Sequence, residues 1–271
     1  MKDNLGTRMK EFYENPAKTK LIRRTPVIIR VDGRAFHTFT RGFEKPYDKT
    51  FHRAMKQTAR ILVQNLQGCK LAYTQSDEIS LLLTDYDKLE SGAWFDYEVQ
   101  KVCSIAAASA TLYFNQEFSN EVSVEWTVAD YADFETSIDI QSGEIWGYSA
   151  IPPHLTAHEQ ALQKGAMFDA RCFNIPKEEV ANYFYWRQLD ATRNSIQLYG
   201  QANFSHKELQ NKSCNDIKEM LSKKEIFWDN LNEEIKHGSC VYYDKETHEY
   251  IIDNNIPVFK GNGREYIERF I

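Results

Sequence analysis

The sequence predicts an α+β fold in the order strand, helix, strand, strand, helix, strand. Three observations carry that prediction. The run Val27, Ile28, Ile29, Val31 is short, apolar and β-branched; two amphipathic stretches show helical spacing; and two strand-like runs between them are separated by a few polar residues. Together they describe the split βαβ arrangement of ferredoxin-like folds, an antiparallel sheet with helices on one face.

The first strand stops at Asp32-Gly33-Arg34, a carboxylate followed by the residue that lets backbone come close to a ligand. FEKPYDKTFHRAMKQTARILVQNLQG then reads as a helix. Asp48 is its N-cap behind Pro46, Phe51, Met55, Leu62 and Leu66 share a face, and Gly68 is its stop. KLAYTQ and EISLLL form a hairpin with Gln75, Ser76, Asp77 and Glu78 at its tip. From Trp94 to Phe118, Val99, Val102, Cys103, Ala106, Ala110 and Tyr113 fall at helical spacing. MFDARCFNIP, at 167–176, is the closing strand, ended by Pro176.

Residues 119–165 interrupt this order as an insertion, with a turn signal of their own at Ser142-Gly143. Beyond it, PKEEVANYFYWRQLDATRNSIQLYG is a helix with acids in its first turn and Gly200 at its end. The remainder alternates a helix-like KSCNDIKEMLSKK with strand-like SCVYY and EYIIDNN, so 1–176 is expected to be the catalytic unit and 177–271 an accessory region.

Composition narrows the function classes. With 271 residues, 42% of them apolar, the chain can bury one large core or two smaller ones. No apolar run approaches the roughly 20 residues that span a bilayer, and MKDNLGTRMK lacks the apolar core of a signal peptide, so a cytoplasmic protein with no membrane partner is expected. Five cysteines without a CxxC point to reduced, structural thiols. The net charge of −6 makes no global case for nucleic acid, and the basic run Lys18, Lys20, Arg23, Arg24 reads first as solvated surface. His154 and His158 are four apart but lack the glutamate of HExxH and a third ligand, which argues against zinc. The aromatic run 183–186 reads as core before it reads as a base-stacking platform.

In the predicted order the first strand and the hairpin lie side by side, so Asp32 and Asp77 converge. Carboxylates brought together repel, and a divalent cation that prefers hard oxygen ligands relieves the repulsion, magnesium best of all. Two such ions hold a triphosphate for in-line displacement, with Gly33 opening its backbone to them. Arg34, His37, Lys45, Lys101 and Ser104 are phosphate contacts if they face the same cleft. Taken singly, an Asp-Gly after a strand is most often a turn, and Ser-Asp-Glu an ordinary hairpin tip.

The stretches RVDGRAFHTF, FEKPYD, AYTQSDEISLLL, KVCSIAAASA, FDARCFNIP and YWRQLDATRNS follow the order and rough spacing of the tRNA-histidine guanylyltransferase superfamily, which this chain resembles over most of 1–118 and 167–243. The resemblance implies a polymerase-like palm that extends RNA 3′-to-5′, adding nucleotides to a tRNA 5′ end after ATP has activated a 5′-monophosphate. It implies Asp32, Asp77 and the Gly33 carbonyl as ligands of two magnesium ions. Arg34, Ala35, Phe36, His37, Lys45, Ser76, Lys101 and Ser104 would cradle the phosphates of ATP, GTP or other nucleotides, with Glu78 either a ligand or a structural partner. It also implies a homotetramer. Where tRNA-histidine enzymes carry a His-Ile-Asn-Asn-Leu-Tyr-Asn-like segment, this chain has Thr192-Arg193-Asn194-Ser195-Ile196-Gln197-Leu198, which is similar to the branch that repairs 5′-truncated tRNAs. Arg171, Arg187, Arg193 and Asn194 are the expected RNA contacts. Two rivals stand beside this reading. A diguanylate-type cyclase is disfavoured because Gln75 and Ser76 replace its two glycines, and a non-catalytic RNA-binding palm because Asp32 and Asp77 would only repel phosphate.

Overall fold

The computed structural model describes residues 4–136 and 153–271. A short α1 (Leu5–Met9) precedes β1 (Val27–Gly33), in which Val27, Ile29 and Val31 enter one apolar layer and Ile28 the other. A strand buried on both faces reads as an unbroken apolar run, which is why the first half of β1 lacks alternation. One turn of helix, α2 (Phe36–Phe39), follows it. At the start of α3 (Lys49–Asn65) Asp48 accepts the Phe51 N–H at 2.8 Å, the N-cap marked in the sequence.

β2 (Cys69–Gln75) and β3 (Glu78–Leu83) form the expected hairpin, closed by Ser76 and Asp77, with Ser76 at φ +48°. α4 (Val99–Thr136) begins later than expected, because left-handed Phe95 and Asp96 break the chain before it, and it continues well past Phe118 into the interruption. α5 (Pro153–Lys164) also belongs to that interruption, while the Ser142-Gly143 turn lies outside the described residues. β4 (Phe168–Asn174) leads into α6 (Lys177–Asn203). Gly200 does not end α6 but lies within it, where a Cβ would come 2.9 Å from Ile217 Cγ2. The chain finishes with α7 (His206–Leu209), α8 (Cys214–Ser222), α9 (Glu233–His237), β5 (Ser239–Asp244), β6 (Glu249–Asp253) and α10 (Glu265–Glu268).

The strands form one sheet in the order β4-β1-β3-β2-β5-β6, every neighbour antiparallel. α3 and α4 cover one face, burying Ile29, Val31, Phe51, Met55, Val102 and Phe114. The expectation of helices on one face alone fails. Ile28, Leu71 and Leu82 point to the opposite face and are fully buried there by Val180, Tyr183 and Phe184 of α6. At about 1.5–3 kcal/mol for each large side chain, leaving that layer uncovered would be too costly. The sheet also runs on past residue 176, since β5 pairs with β2. Among the described residues no helix is long and apolar enough to cross a membrane.

Candidate functional site

β1 and the β2–β3 turn reach the same end of the sheet, and the register fixes what meets there. Asp32 lies opposite Glu78 on β3, and the Gly33 N–H donates to the Asp77 carbonyl at 3.0 Å. Gly33 is obligatory on steric grounds, because a Cβ would sit 2.3 Å from the Phe36 ring. Asp77 is held by a 3.1 Å hydrogen bond from Ser76 Oγ. Burial, with the negative charge of Asp32 adding to it, pushes the Asp77 carboxyl up to about 6. Beside the pair opens a cleft of about 430 Å³ lined by Gly33, Ala35, Phe36, His37, Lys45, Ser76 and Asp77. Its floor is a stack of phenylalanines, in which Phe36 meets Phe39, Phe51, Phe114 and Phe168 with ring centroids 5.0–6.0 Å apart. Each such pair adds about 0.5–1.5 kcal/mol beyond burial, so the loop carrying the site rests on rigid support.

The fold brings most of the expected residues to this cleft. Ala35, at φ +55°, caps α2, and Ala35, Phe36 and His37 all line the cleft. Lys45 is exposed at the rim. Asn194 lines an adjoining cavity of about 50 Å³, together with Ser76, Tyr47 and Tyr199.

Other expectations are corrected. Arg34 is exposed and outside the cleft lining, its N–H spent on the Met167 carbonyl at 2.8 Å. Lys101 and Ser104 stand in the first two turns of α4 and outside the cleft lining; Phe114, which packs on Phe36 of the cleft wall, is 13 and 10 residues further on, about 20 and 15 Å along a helix. Arg187 is not at the surface. It is 6% exposed and grips Glu78 through two parallel 2.8 Å hydrogen bonds, with Asp190 as a further partner at 2.9 Å. Glu78, 5% exposed, is thereby a structural partner, and its side chain turns away from the cleft. Arg193 remains exposed and pairs with Asp190. Arg171 is half-exposed, 2.8 Å from Asp169 and 3.7 Å from Asp32.

Two residues escaped the sequence reading. Asp169 faces Asp32 across β4 and β1, and Arg30 faces Arg171 in the next pair of the same face. The Arg30 Nε is buried without a hydrogen-bond partner, and its guanidinium lies 6.0 Å from the Trp186 ring centre. The i, i+2 spacing of Arg30–Asp32 and of Asp169–Arg171 is the sole trace in the sequence, and it becomes a cluster only once the register is known.

The donor set can be tested against a metal. Among the described residues no group of three or more His, Cys, Asp or Glu side chains is arranged to hold one. Two carboxylates, a backbone carbonyl and no cationic partner for Asp77 among the described ion pairs nonetheless fit magnesium, which takes one or two carboxylates and completes its shell with water and phosphate.

The chain is similar to proteins already known. A family model described as Thg1, tRNAHis guanylyltransferase, matches residues 6–176. A bacterial tRNA(His) guanylyltransferase (Thg1)-like protein in complex with ATP superposes with a TM-score of 0.77 at 36% identity, covering 99% of both chains. The complex of such a protein with GTP gives 0.70 at 34% identity, covering 98% of this chain and 99% of the other. The tRNA(His) guanylyltransferase of Kluyveromyces lactis is 26% identical over 257 residues, 89% of this chain and 92% of its own length.

Proposed function

The chain belongs to the Thg1 family of tRNAHis guanylyltransferases and is a nucleotidyltransferase, and from that premise we propose that it extends the 5′ end of a tRNA 3′-to-5′ on a polymerase-type palm. What supports the reading most is the convergence of Asp32 and Asp77 beside a cleft of about 430 Å³ with Lys45 at its rim. Asp32, Asp77 and the Gly33 carbonyl would hold two magnesium ions. When bound, these ions supply charge neutralisation of the triphosphate and a more acidic attacking hydroxyl. Lys45, Ser76 and the backbone N–H groups of Ala35, Phe36 and His37 hold the nucleotide phosphates.

The reaction has two balanced steps. A 5′-monophosphate oxygen attacks the α-phosphorus of ATP and pyrophosphate leaves; the 3′-hydroxyl of the incoming nucleotide then attacks the adenylylated end, and AMP leaves with the bond it breaks. Arg171 and Arg30, on the face beyond Asp32, suit the 5′ phosphate of the RNA, with Arg193 and Asn194 further along the path. The segment from Thr192 to Leu198 favours 5′-end repair over histidine-tRNA identity. The same reading assigns 1–176 to the palm and 177–271 to RNA binding and assembly, with a homotetramer in the cytoplasm; light scattering and cell fractionation test the last two.

Purified chain with magnesium, ATP and labelled GTP should lengthen a tRNA lacking its first nucleotide. Asp77→Ala should lose this activity while keeping its circular dichroism. A wild type that leaves the RNA unextended but makes a cyclic dinucleotide from GTP would overturn the reading in favour of a cyclase.

A further inference from the structure

His154 and His158, whose spacing argues against zinc in the sequence, reach two walls of the cleft, Glu44 and Asp48, from α5. His158, on α5, is 1% exposed and lies between two carboxylates: Nε2 is 2.9 Å from Asp48 Oδ2, and Nδ1 is 3.1 Å from Glu125 Oε2 on α4, an ion-pair distance without hydrogen-bond alignment. Asp48 is itself a wall of the cleft. It caps α3 and accepts the Glu44 N–H at 3.0 Å, so it ties the loop 44–48, Lys45 included, to the helix start. The His158 ring also lies edge-on to Phe43, another wall residue, at 4.5 Å. Gly42 packs so closely on α5 that a Cβ would come 2.9 Å from Ala157. Glu125 is shared with Thr50 Oγ1 at 2.8 Å and His154 Nε2 at 3.2 Å, and His154 lies 3.9 Å from Glu44.

We propose that His158 is a positioning residue for the nucleotide-binding loop, a buried imidazole that pins Asp48, and through it residues 44–48, onto α4 and α5. The interruption after residue 118 thereby gains a role: its helix is the floor on which that loop is set. The inference rests on reading the cleft as a nucleotide site.

Every charged group facing His158 bears on its proton. Burial opposes the charged form and Asp48 and Glu125 favour it, with His154 the other titratable ring nearby, 5.7 Å away between centroids; the carboxylates prevail and hold the imidazolium above its ordinary range. The pin therefore loosens as pH rises.

ATP affinity of the full chain, measured by calorimetry beside steady-state kinetics, tests this. His158→Ala should weaken ATP binding about tenfold and raise KM with little change in kcat, since a misplaced loop costs binding before chemistry. Exogenous imidazole should restore affinity. Because the buried site risks misfolding, Glu125→Gln provides a milder variant, in which the alkaline loss of ATP affinity should move to lower pH. A variant that is merely less thermostable, with wild-type affinity and pH profile, would overturn the inference alone. A wild type that binds no ATP would overturn it together with the reading of the cleft.

Discussion

Two buried ion pairs flank the site, and they are built differently. Behind the β2–β3 hairpin, Glu78 is gripped by Arg187 from α6 with fork geometry. Beneath the loop 44–48, Asp48 is gripped by His158 from α5. Arginine keeps its charge at any pH the protein meets, whereas histidine gives its charge up near neutrality. The element that carries Asp77 is thus fixed, and the element that carries Lys45 is adjustable. A fixed half suits residues that must stay a set distance apart, and an adjustable half suits a loop that admits and releases nucleotide.

The largest effect that should separate the two clamps is on stability. Arg187→Ala strands Glu78 in a layer formed by Tyr183, Phe184 and Ser80, and breaking a buried pair on one side costs about 3–5 kcal/mol. Urea unfolding should show that loss. The double change Glu78→Gln with Arg187→Met should recover part of it, because the uncompensated charge is gone. If Arg187→Ala unfolds within about 1 kcal/mol of wild type, the rigid clamp is no clamp.

Much of this contrast was beyond the sequence. β1, α3, the hairpin, β4 and α6 are legible because their signals are local: β-branched runs, the Asp48 cap, a short polar tip, Pro176 before acids. The convergence of Asp32 and Asp77 followed from the order of those elements alone. Arg187 was misread as an RNA contact because its partner is 109 residues away, and an arginine on a helix looks the same whether it faces water or a buried glutamate. Lys101 and Ser104 are expected at the cleft and lie outside its lining, because helical spacing tells which face a residue takes but not how far along the sheet it sits. The pairing of β5 with β2, which carries the sheet beyond its expected edge, is likewise a long-range contact that no local pattern encodes.

A smaller effect sharpens the other half of the comparison. Because the folded state raises the proton affinity of His158, its pairing contributes fully below about pH 6.5, the unfolded value, and is lost as pH rises through the raised folded value. Asp48 behaves oppositely. Its carboxyl is held low by His158 and the Phe51 and Glu44 N–H groups against the burial that raises it, so its contribution is present above about pH 3.8 and fades as pH falls through the lowered value. Wild-type stability should therefore decline on the alkaline side of neutrality, and His158→Gln should flatten that decline. Equal slopes in the two proteins would show that His158 does not titrate differently in the folded state, and that its clamp is no more adjustable than that of Arg187.

The smallest stability effect belongs to Arg193, on the same helix as Arg187 and six residues on. Its side chain is 60% exposed, and its pair with Asp190 is an i, i+3 surface contact worth no more than about 1 kcal/mol. Arg193→Ala should unfold like wild type. If the exposed arginine meets RNA phosphate, the same change should weaken tRNA binding and lower the salt dependence of the binding constant by about one counterion. Arg187 should not follow that pattern: Arg187→Lys, which keeps the charge but loses the fork, should disturb unfolding before it alters the salt slope. A lowered slope in Arg187→Lys with unchanged unfolding would reverse the assignment, making the buried arginine the RNA contact and leaving the hairpin without its clamp.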